Sequence, residues 1–269
     1  MILNIEDDFS LKKIIISGQC FRAVEIEEKK FRFITGDNSI IIHELGGNKF
    51  DVSCGIDEWE KVWISYFDLE RDYSSIRKEA AEKNSVIKKA VDFANGIRIL
   101  RQDPWETLIT FILSQRKSLP AIANSVEALC RAYGHKVCEL NSFPSVEEMS
   151  GATEKELRGL GTGYRAPYVL SAIEKVLSKE IDLKEMKNYD DETLHKSLIS
   201  IHGVGDKVAN CVSLFGFGRI KCAPIDVWIK RIIDEDFGGK NPFPLFPNDA
   251  GIIQQYLFYY AKYRGLTKK

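Results

Sequence analysis

With 269 residues, of which 44% are hydrophobic and 29% charged, the chain has a globular composition and can bury one large core or two smaller ones. No apolar run approaches the length that spans a bilayer, which excludes a membrane-inserted protein. The formal net charge of −1 gives no support to nucleic-acid binding through overall charge.

The first seventy or so residues are predicted to form an antiparallel sheet. Short runs rich in β-branched and aromatic residues are separated by turn signals at 36–38 and 46–48, and these runs are 12–17, 21–26, 31–35 and 40–45. The N-terminus has early acidic residues and no basic segment typical of a signal or transit peptide. We therefore expect an intracellular protein of the cytoplasm or nucleoid, and we expect it to be a monomer.

From about Tyr73 onward, the spacing of apolar residues changes to the helical period. Residues that commonly cap helices precede several of these stretches, namely Ser85, Asp103, Ser145, Asp190 and Asp249. The predicted fold class is therefore α+β, with an antiparallel β domain at 1–76 followed by a mainly α-helical region at 77–269. No low-complexity linker separates the two regions, which favours packed subdomains.

Two glycines, Gly203 and Gly205, flank Val204 in the most informative part of the chain. Glycine can adopt backbone angles closed to other residues, so a tight hairpin here can direct its amides at a phosphate. The positive end of the following helix would point at the same phosphate. Lys207 then lies just inside that helix.

Chain geometry allows Lys207 to meet Asp226. A helix from residue 206 to about 217 rises roughly 16 to 18 Å, and the nine following steps can span up to about 30 Å. Asp226 precedes an apolar helical pattern and is predicted to be its N-cap. A surface lysine, a helix cap and a two-glycine turn are each common alone, but their ordered coincidence favours catalysis by an amine and a carboxylate.

Basic residues surround this motif. Between Leu194 and Arg231 there are four Lys and two Arg against two Asp, a local excess of +4. Such an excess is as common on an ordinary solvated helix as on a DNA-binding face.

The stretch 199–226 resembles the helix-hairpin-helix glycosylase superfamily, in which a lysine at this position marks enzymes that excise a damaged base and then nick the strand. Residues 17–22, 96–115 and 160–168 are each similar to a block of the 8-oxoguanine DNA glycosylases. The resemblance covers nearly the whole chain in order. It implies two helical subdomains around a DNA groove, Lys207 and Asp226 as catalytic residues, and duplex DNA containing 8-oxoguanine as substrate.

The resemblance also assigns a pocket for the damaged base. The carbonyl of Gly18 would read the N7 hydrogen that distinguishes 8-oxoguanine from guanine. Gln254 and Phe258, four residues apart on one helix face, would bind the edge and one face of the base. Cys211 would form the opposite wall, where its thiolate could pair with Lys207. A turn glycine, a surface Gln, a core Phe and a buried Cys are commoner individually, so only their joint placement favours the pocket.

Around the gap left by the extruded base, Tyr164 resembles the family's aromatic wedge and Arg165 the donor to the orphaned cytosine. The chain also departs from the family. Arg116 stands where an Asn usually fills the gap, Ala121 where a second arginine contacts cytosine, and Trp228 where a histidine follows the essential aspartate. The departures at Arg116 and Ala121 predict a weaker preference for cytosine opposite the lesion, and phosphate handling near Asp226 is expected to differ from that of the family as well.

No cofactor is expected to take part in the reaction. The six cysteines show no Cys-x-x-Cys pair, and no cysteine follows Asp226, where endonuclease III relatives hold an iron–sulfur cluster. They are interpreted as reduced thiols. By resemblance, a structural cation could be held by the carbonyls of Ile199, Ile201 and Val204.

Two alternatives to 8-oxoguanine excision remain at this point. One is a related glycosylase for an oxidised pyrimidine or an alkylated purine, which would lack the set of Gly18, Gln254 and Phe258. The other is a non-catalytic hairpin module that only binds DNA, which has no use for Lys207 and Asp226 together.

Overall fold

The computed structural model describes residues 1–264, so the last five residues of the predicted helical region lie outside the described residues. The strands within that range are β1 (Ile2–Asn4), β2 (Val24–Glu27), β3 (Lys30–Thr35), β4 (Asn38–Gly46), β5 (Lys49–Val52), β6 (Lys136–Val137) and β7 (Leu140–Asn141). The α-helices within it are α1 (Leu11–Ile16), α2 (Ile56–Glu58), α3 (Ile64–Tyr66), α4 (Tyr73–Lys83), α5 (Ser85–Phe93), α6 (Pro104–Leu113), α7 (Leu119–Tyr133), α8 (Glu154–Gly159), α9 (Ala166–Leu177), α10 (Asp191–Ile199), α11 (Asp206–Phe215), α12 (Val227–Asp236) and α13 (Ala250–Tyr263).

The N-terminal strands form the predicted antiparallel sheet, in the order β1-β5-β4-β3-β2. In the pair β3 and β4, Phe33 lies opposite Ile40 and both are fully buried. Their face packs on aromatic residues of the segment after β5, with Phe33 and Phe67 at 5.0 Å between ring centroids. The fold class is therefore α+β, as predicted.

Two parts of the predicted all-β segment are helical instead. Residues 12–17 were expected to form a strand, but α1 covers most of them, because Ser10 caps it by accepting from the Lys13 N–H. Leu11 and Ile14, three residues apart, bury one face of this short helix. After β5, a π-helical turn at Trp59–Trp63 joins α2 to α3.

The helical region confirms most of the predicted helix starts. Asp103, Asp190 and Asp249 precede α6, α10 and α13, respectively. The cap of α5 is Asn84 and not Ser85, because the Asn84 side chain accepts from two helical N–H groups. Ser145 and Glu148 bond reciprocally, but only a turn follows them, not a helix.

One segment ties the sheet region to the helices. Gln19 is buried, and its side chain donates to the Arg98 carbonyl at 2.9 Å and accepts from the Leu100 N–H at 2.8 Å. Gln102 donates in turn to the Gln19 carbonyl at 2.8 Å. These bonds fix the loop after α1 against the segment that leads into α6. No helix within residues 1–264 has the length and apolar character needed to cross a membrane.

Candidate active site

A cavity of about 1120 Å³ lies where the loop after α1, the loop between α6 and α7, the start of α12, and helices α11 and α13 come together. It is lined by the residues predicted for catalysis and base binding, namely Lys207, Asp226, Gly18, Cys211, Gln254 and Phe258. Arg116 and Trp228 also line it. The structure therefore brings together segments from both ends of the chain.

The hairpin before α11 needs a glycine at one of its two glycine positions. Gly203 has φ of +84°, and a Cβ there would lie 2.2 Å from the ring of Tyr168. The expectation for Gly205 was wrong, because its φ of −103° is open to any residue. Gly205 is exposed, and a Cβ on it would meet no protein atom within 4 Å. The amide end of α11 is therefore unobstructed, as the approach of a phosphate requires.

Lys207 is half-buried on the first turn of α11. Its Nζ lies 5.0 Å from the centroid of the Phe111 ring, and its charge is close enough to Cys211 to act on the pKa of that thiol. The helix ends at Phe215, slightly before the predicted end near residue 217, and Phe215 stacks on Phe111 at 5.5 Å. The amine therefore lies beside an aromatic ring and near the sulfur of Cys211.

Burial raises the pKa of the Cys211 thiol, and this effect outweighs the opposing effect of the nearby Lys207 charge. The charge of Asp226 raises that pKa further. Cys211 is therefore a neutral thiol at neutral pH, and the expected ion pair between a thiolate and Lys207 does not form. The reason is the complete burial of the sulfur, which disfavours the charged form.

Asp226 is the N-cap of α12, as predicted. Its Oδ1 accepts from the N–H groups of Trp228 at 3.0 Å and Ile229 at 2.9 Å. Its Oδ2 accepts no hydrogen bond from residues 1–264. The cap therefore fixes the carboxylate and leaves one oxygen available for chemistry.

The loop that carries Gly18 is held by its neighbours. Gly18 has φ of +78°. Ser17 donates its hydroxyl to the Ile14 carbonyl at 2.7 Å, and its own carbonyl accepts from Gln255 Nε2 at 2.8 Å. Within the described part of the chain, no group donates to the Gly18 carbonyl. A rigid loop thus presents an unpaired acceptor.

On α13, Gln254 is only 4% exposed, and its Oε1 has no hydrogen-bond partner among residues 1–264. An unpaired buried polar atom costs about 1 to 3 kcal/mol, which indicates that a ligand supplies its partner. Phe258, one turn later, has ring atoms 3.4 and 3.5 Å from the position of a Cβ on Gly18. The unpaired amide, the ring and the Gly18 loop therefore border one space.

The residues predicted to contact the DNA strand opposite the lesion differ in their exposure to solvent. Tyr164 is 45% exposed, and the Arg165 guanidinium lies 4.3 Å over its ring. Arg165 itself is buried and donates to the carbonyls of Gln115 at 2.8 Å, Thr162 at 3.2 Å and Arg116 at 3.4 Å. In this conformation Arg165 holds the loop after α6, and Arg116 projects from that loop to solvent with φ of +51°.

Sequence reasoning missed the residues that tether these loops. Gln115 donates through Nε2 to the Gly203 carbonyl at 3.0 Å, which joins the loop after α6 to the hairpin. Lys117 donates to the Gly161 carbonyl at 2.7 Å. Gln255 had no distinguishing sequence signal beyond being a polar residue in an apolar helix.

Comparison with known families covers most of the chain. Residues 1–108 match the family model of the 8-oxoguanine DNA glycosylase N-terminal domain. Residues 109–244 match that of the HhH-GPD superfamily base excision DNA repair protein. The two matched ranges meet inside α6, so they do not test the domain boundary expected near residue 76. That boundary stays a prediction.

Individual relatives agree with these matches. The N-glycosylase/DNA lyase of Saccharomyces cerevisiae is 37% identical over 158 residues, which span 53% of this chain and 42% of the yeast protein. The structure of MBOgg1 in complex with a low-affinity DNA ligand has a TM-score of 0.92 at 35% identity, covering 98% of this chain and 96% of that one. The Clostridium acetobutylicum 8-oxoguanine glycosylase/lyase, in complex with dsDNA containing cytosine opposite to 8-oxoG, has a TM-score of 0.88 at 31% identity and 98% coverage of both chains.

Proposed function

Because the chain belongs to the 8-oxoguanine DNA glycosylase family, we propose that it excises 8-oxoguanine from duplex DNA through Schiff-base chemistry on Lys207. It is a bifunctional N-glycosylase and DNA lyase of base excision repair. The observation that supports the mechanism best is the convergence of Lys207 and Asp226 on the cavity that also holds Gly18, Gln254 and Phe258.

In the glycosylase step, the neutral amine of Lys207 attacks C1′ of the deoxyribose. The bond between C1′ and N9 breaks, and its electron pair leaves with the base. The Asp226 carboxylate, held by the N–H groups of Trp228 and Ile229, stabilises the positive charge that develops on the sugar.

In the lyase step, the sugar opens and the Lys207 nitrogen forms a Schiff base at C1′. The Schiff base makes the C2′ proton acidic, and loss of that proton expels the 3′ phosphate by β-elimination. The strand is then nicked 3′ to the lesion. These steps need only the amine, the carboxylate and water, so we propose no cofactor for the reaction.

For base recognition, the unpaired Gly18 carbonyl accepts from the N7 hydrogen of 8-oxoguanine. The Gln254 amide hydrogen-bonds to the Watson–Crick edge of the flipped base. This contact gives the buried Oε1 of Gln254 the hydrogen-bond partner that it otherwise lacks. Phe258 and the neutral thiol of Cys211 contact the two faces of the base. A neutral thiol suits this role because an uncharged sulfur is a soft, apolar contact for a ring.

Duplex DNA is the partner in this proposal, and we place the reaction in the cytoplasm or nucleoid, where that DNA would lie. The amides around Gly205 and the start of α11 bind a phosphate of the lesion strand, and Tyr164 and Arg116 face the gap. At the hairpin, the carbonyls of Ile199 and Val204 accept no N–H from residues 1–264, whereas that of Ile201 accepts from Val204 at 3.0 Å. These carbonyls have unused lone pairs and can therefore bind a structural cation. Such a cation would hold the hairpin in place.

Borohydride trapping tests the function directly. The protein should form a covalent adduct with a duplex containing 8-oxoguanine and none with the same duplex containing guanine. Adducts only on an oxidised pyrimidine or alkylated purine duplex would instead identify a glycosylase for another base. Binding without any adduct would identify a non-catalytic DNA-binding module.

A further inference from the structure

Besides Lys207, the cavity is lined by Lys117, Lys230 and Lys262, and Lys262 reaches it from α13. Lys262 lies four residues after Phe258 and eight after Gln254, so the three share one side of the helix. Lys262 lines the cavity and is half-buried. Nothing in the base-binding or nucleophilic roles described above uses it.

Only aromatic rings lie close to the Lys262 amine among the residues that the structure describes. Its Nζ lies 5.7 Å from the ring centroid of Phe258 and 4.9 Å from that of Tyr263. Among residues 1–264, it makes no hydrogen bond or ion pair. By contrast, the half-buried Lys13 donates to the carbonyls of Phe93 and Asn95. An unpaired ammonium in a cavity lacks the compensation that burial normally requires, which points to an anionic ligand.

Two features of the surroundings shift the pKa of this amine in opposite directions. Burial lowers the pKa of Lys262, and the Asp226 carboxylate opposes that effect. Asp226 is thus near enough to act on the Lys262 charge, and the ring of Phe258 also lies close to the Lys262 amine. In the proposed function, the carboxylate lies beside the sugar and the ring lies against the base. A cation that is close to both is therefore near the bond that breaks.

We propose that the Lys262 ammonium is a further catalytic residue, which stabilises the negative charge on the departing 8-oxoguanine. This inference rests on the proposed function. As the bond from Lys207 Nζ to C1′ forms, the C1′–N9 bond breaks and its electron pair passes to the purine. The purine then takes the proton released by the Lys207 nitrogen, and Lys262 transfers none. A fixed cation at the site of developing charge lowers the barrier of this step.

The proposed role of Lys262 concerns base excision and not the nicking of abasic sites. A preformed abasic site has no base to expel, so its nicking by Lys207 involves no purine anion. Loss of the Lys262 charge should therefore slow base excision and leave nicking of an abasic site unchanged. A residue needed for folding, for DNA binding or for the position of Lys207 would affect both reactions.

The test compares single-turnover rates of the whole protein on 8-oxoguanine duplex and on abasic duplex. Lys262→Met should slow excision by at least about 10-fold, below the 10²-fold or more seen for well-placed donors because this amine is only half-buried. Lys262→Arg keeps the charge and should retain most of the rate. Lys240→Met removes an exposed lysine outside the cavity and should leave both rates unchanged.

Several results would overturn the inference. Equal losses of excision and abasic-site nicking would show a structural role, and unchanged excision would show none. Weaker DNA binding, with a fall of about 1 in the slope of log K against log salt, would assign Lys262 to a phosphate instead. Excision by the unmodified protein is measured first, so failure of the proposed function itself is seen separately.

Discussion

The two halves of the cavity are built in different ways. Lys207 and Asp226 belong to neighbouring helices of the same region, and each is positioned by its place at the start of a helix. The base-reading half joins opposite ends of the chain, since Gln255 on α13 binds the Ser17 carbonyl across 238 positions of sequence. The chemistry thus depends on local structure, whereas recognition depends on contacts between distant segments. Substitutions in the two halves should separate these properties.

The largest effect is expected in the catalytic half, from Lys207→Gln. The variant keeps a polar side chain of similar size but has no nucleophile, so excision, abasic-site nicking and borohydride trapping should all fall by at least about 10³-fold. Binding to lesion DNA should persist because the groove is unchanged. Trapping gels and a binding titration measure both. Normal cleavage by this variant would remove Lys207 from the mechanism.

Asp226→Asn should slow excision by about 10² or more, because the amide cannot stabilise positive charge on the sugar. The cap should survive, since the Asn oxygen can accept from the same N–H groups of Trp228 and Ile229. Thermal unfolding and single-turnover rates separate the two roles. A protein that loses stability but turns over normally would show that Asp226 acts only as a cap.

In the base-reading half, Gln255→Leu should leave the buried Ser17 carbonyl without its donor and cost about 1 to 3 kcal/mol of stability. The Gly18 loop would lose its position, so we expect excision of 8-oxoguanine to fall about 10-fold relative to abasic-site nicking, as a loss of about 1.4 kcal/mol in recognition implies.

A matched control for Gln255→Leu is available on the same helix. Ile253→Val removes one buried methylene-sized group, costs about 0.5 to 1.5 kcal/mol, and leaves the hydrogen bond from Gln255 to Ser17 in place. It should leave the ratio of excision to nicking unchanged. If both variants change that ratio equally, stability and not the tether controls recognition.

The sequence predicted those parts of the site that depend on residues close together in the chain. The cap at Asp226 and the hairpin at Gly203 depend on residues a few positions apart, and both are confirmed. The strand expected at 12–17 was wrong because a helix of six residues is too short to show its period. The thiolate expected at Cys211 was wrong because burial, which decides its pKa, arises only when distant segments pack.

The tethers could not be predicted for a related reason. Gln19, Gln115 and Gln255 bind backbone carbonyls or N–H groups that lie far away in sequence. A glutamine within an apolar run has the same local appearance whether it binds substrate, as proposed for Gln254, or holds a loop, as Gln255 does. Only the resemblance to a known family distinguished Gln254 from Gln255.

The smallest expected effect concerns the base opposite the lesion. Ala121 has no side-chain donor, and the buried Arg165 has its donors engaged by the carbonyls of Gln115, Arg116 and Thr162. One bidentate discriminator, worth roughly 1 to 3 kcal/mol, is therefore missing. We expect excision opposite cytosine to exceed excision opposite adenine by a smaller factor than in family members with the usual Asn and Arg.

Ala121→Arg should raise that factor, because Ala121 lies in the first turn of α7, next to the loop that carries Arg116. Ala121→Met adds a side chain of comparable length without a donor, so it should not raise the factor and controls for bulk. Single-turnover rates against all four opposite bases measure the effect. A strong cytosine preference in the unmodified protein would contradict this view, and it would mean that Arg165 leaves its carbonyls to bind cytosine or that Arg116 reads the base alone. In that case the loop after α6 would have to move when DNA binds, since Arg165 holds it through the Gln115 and Arg116 carbonyls.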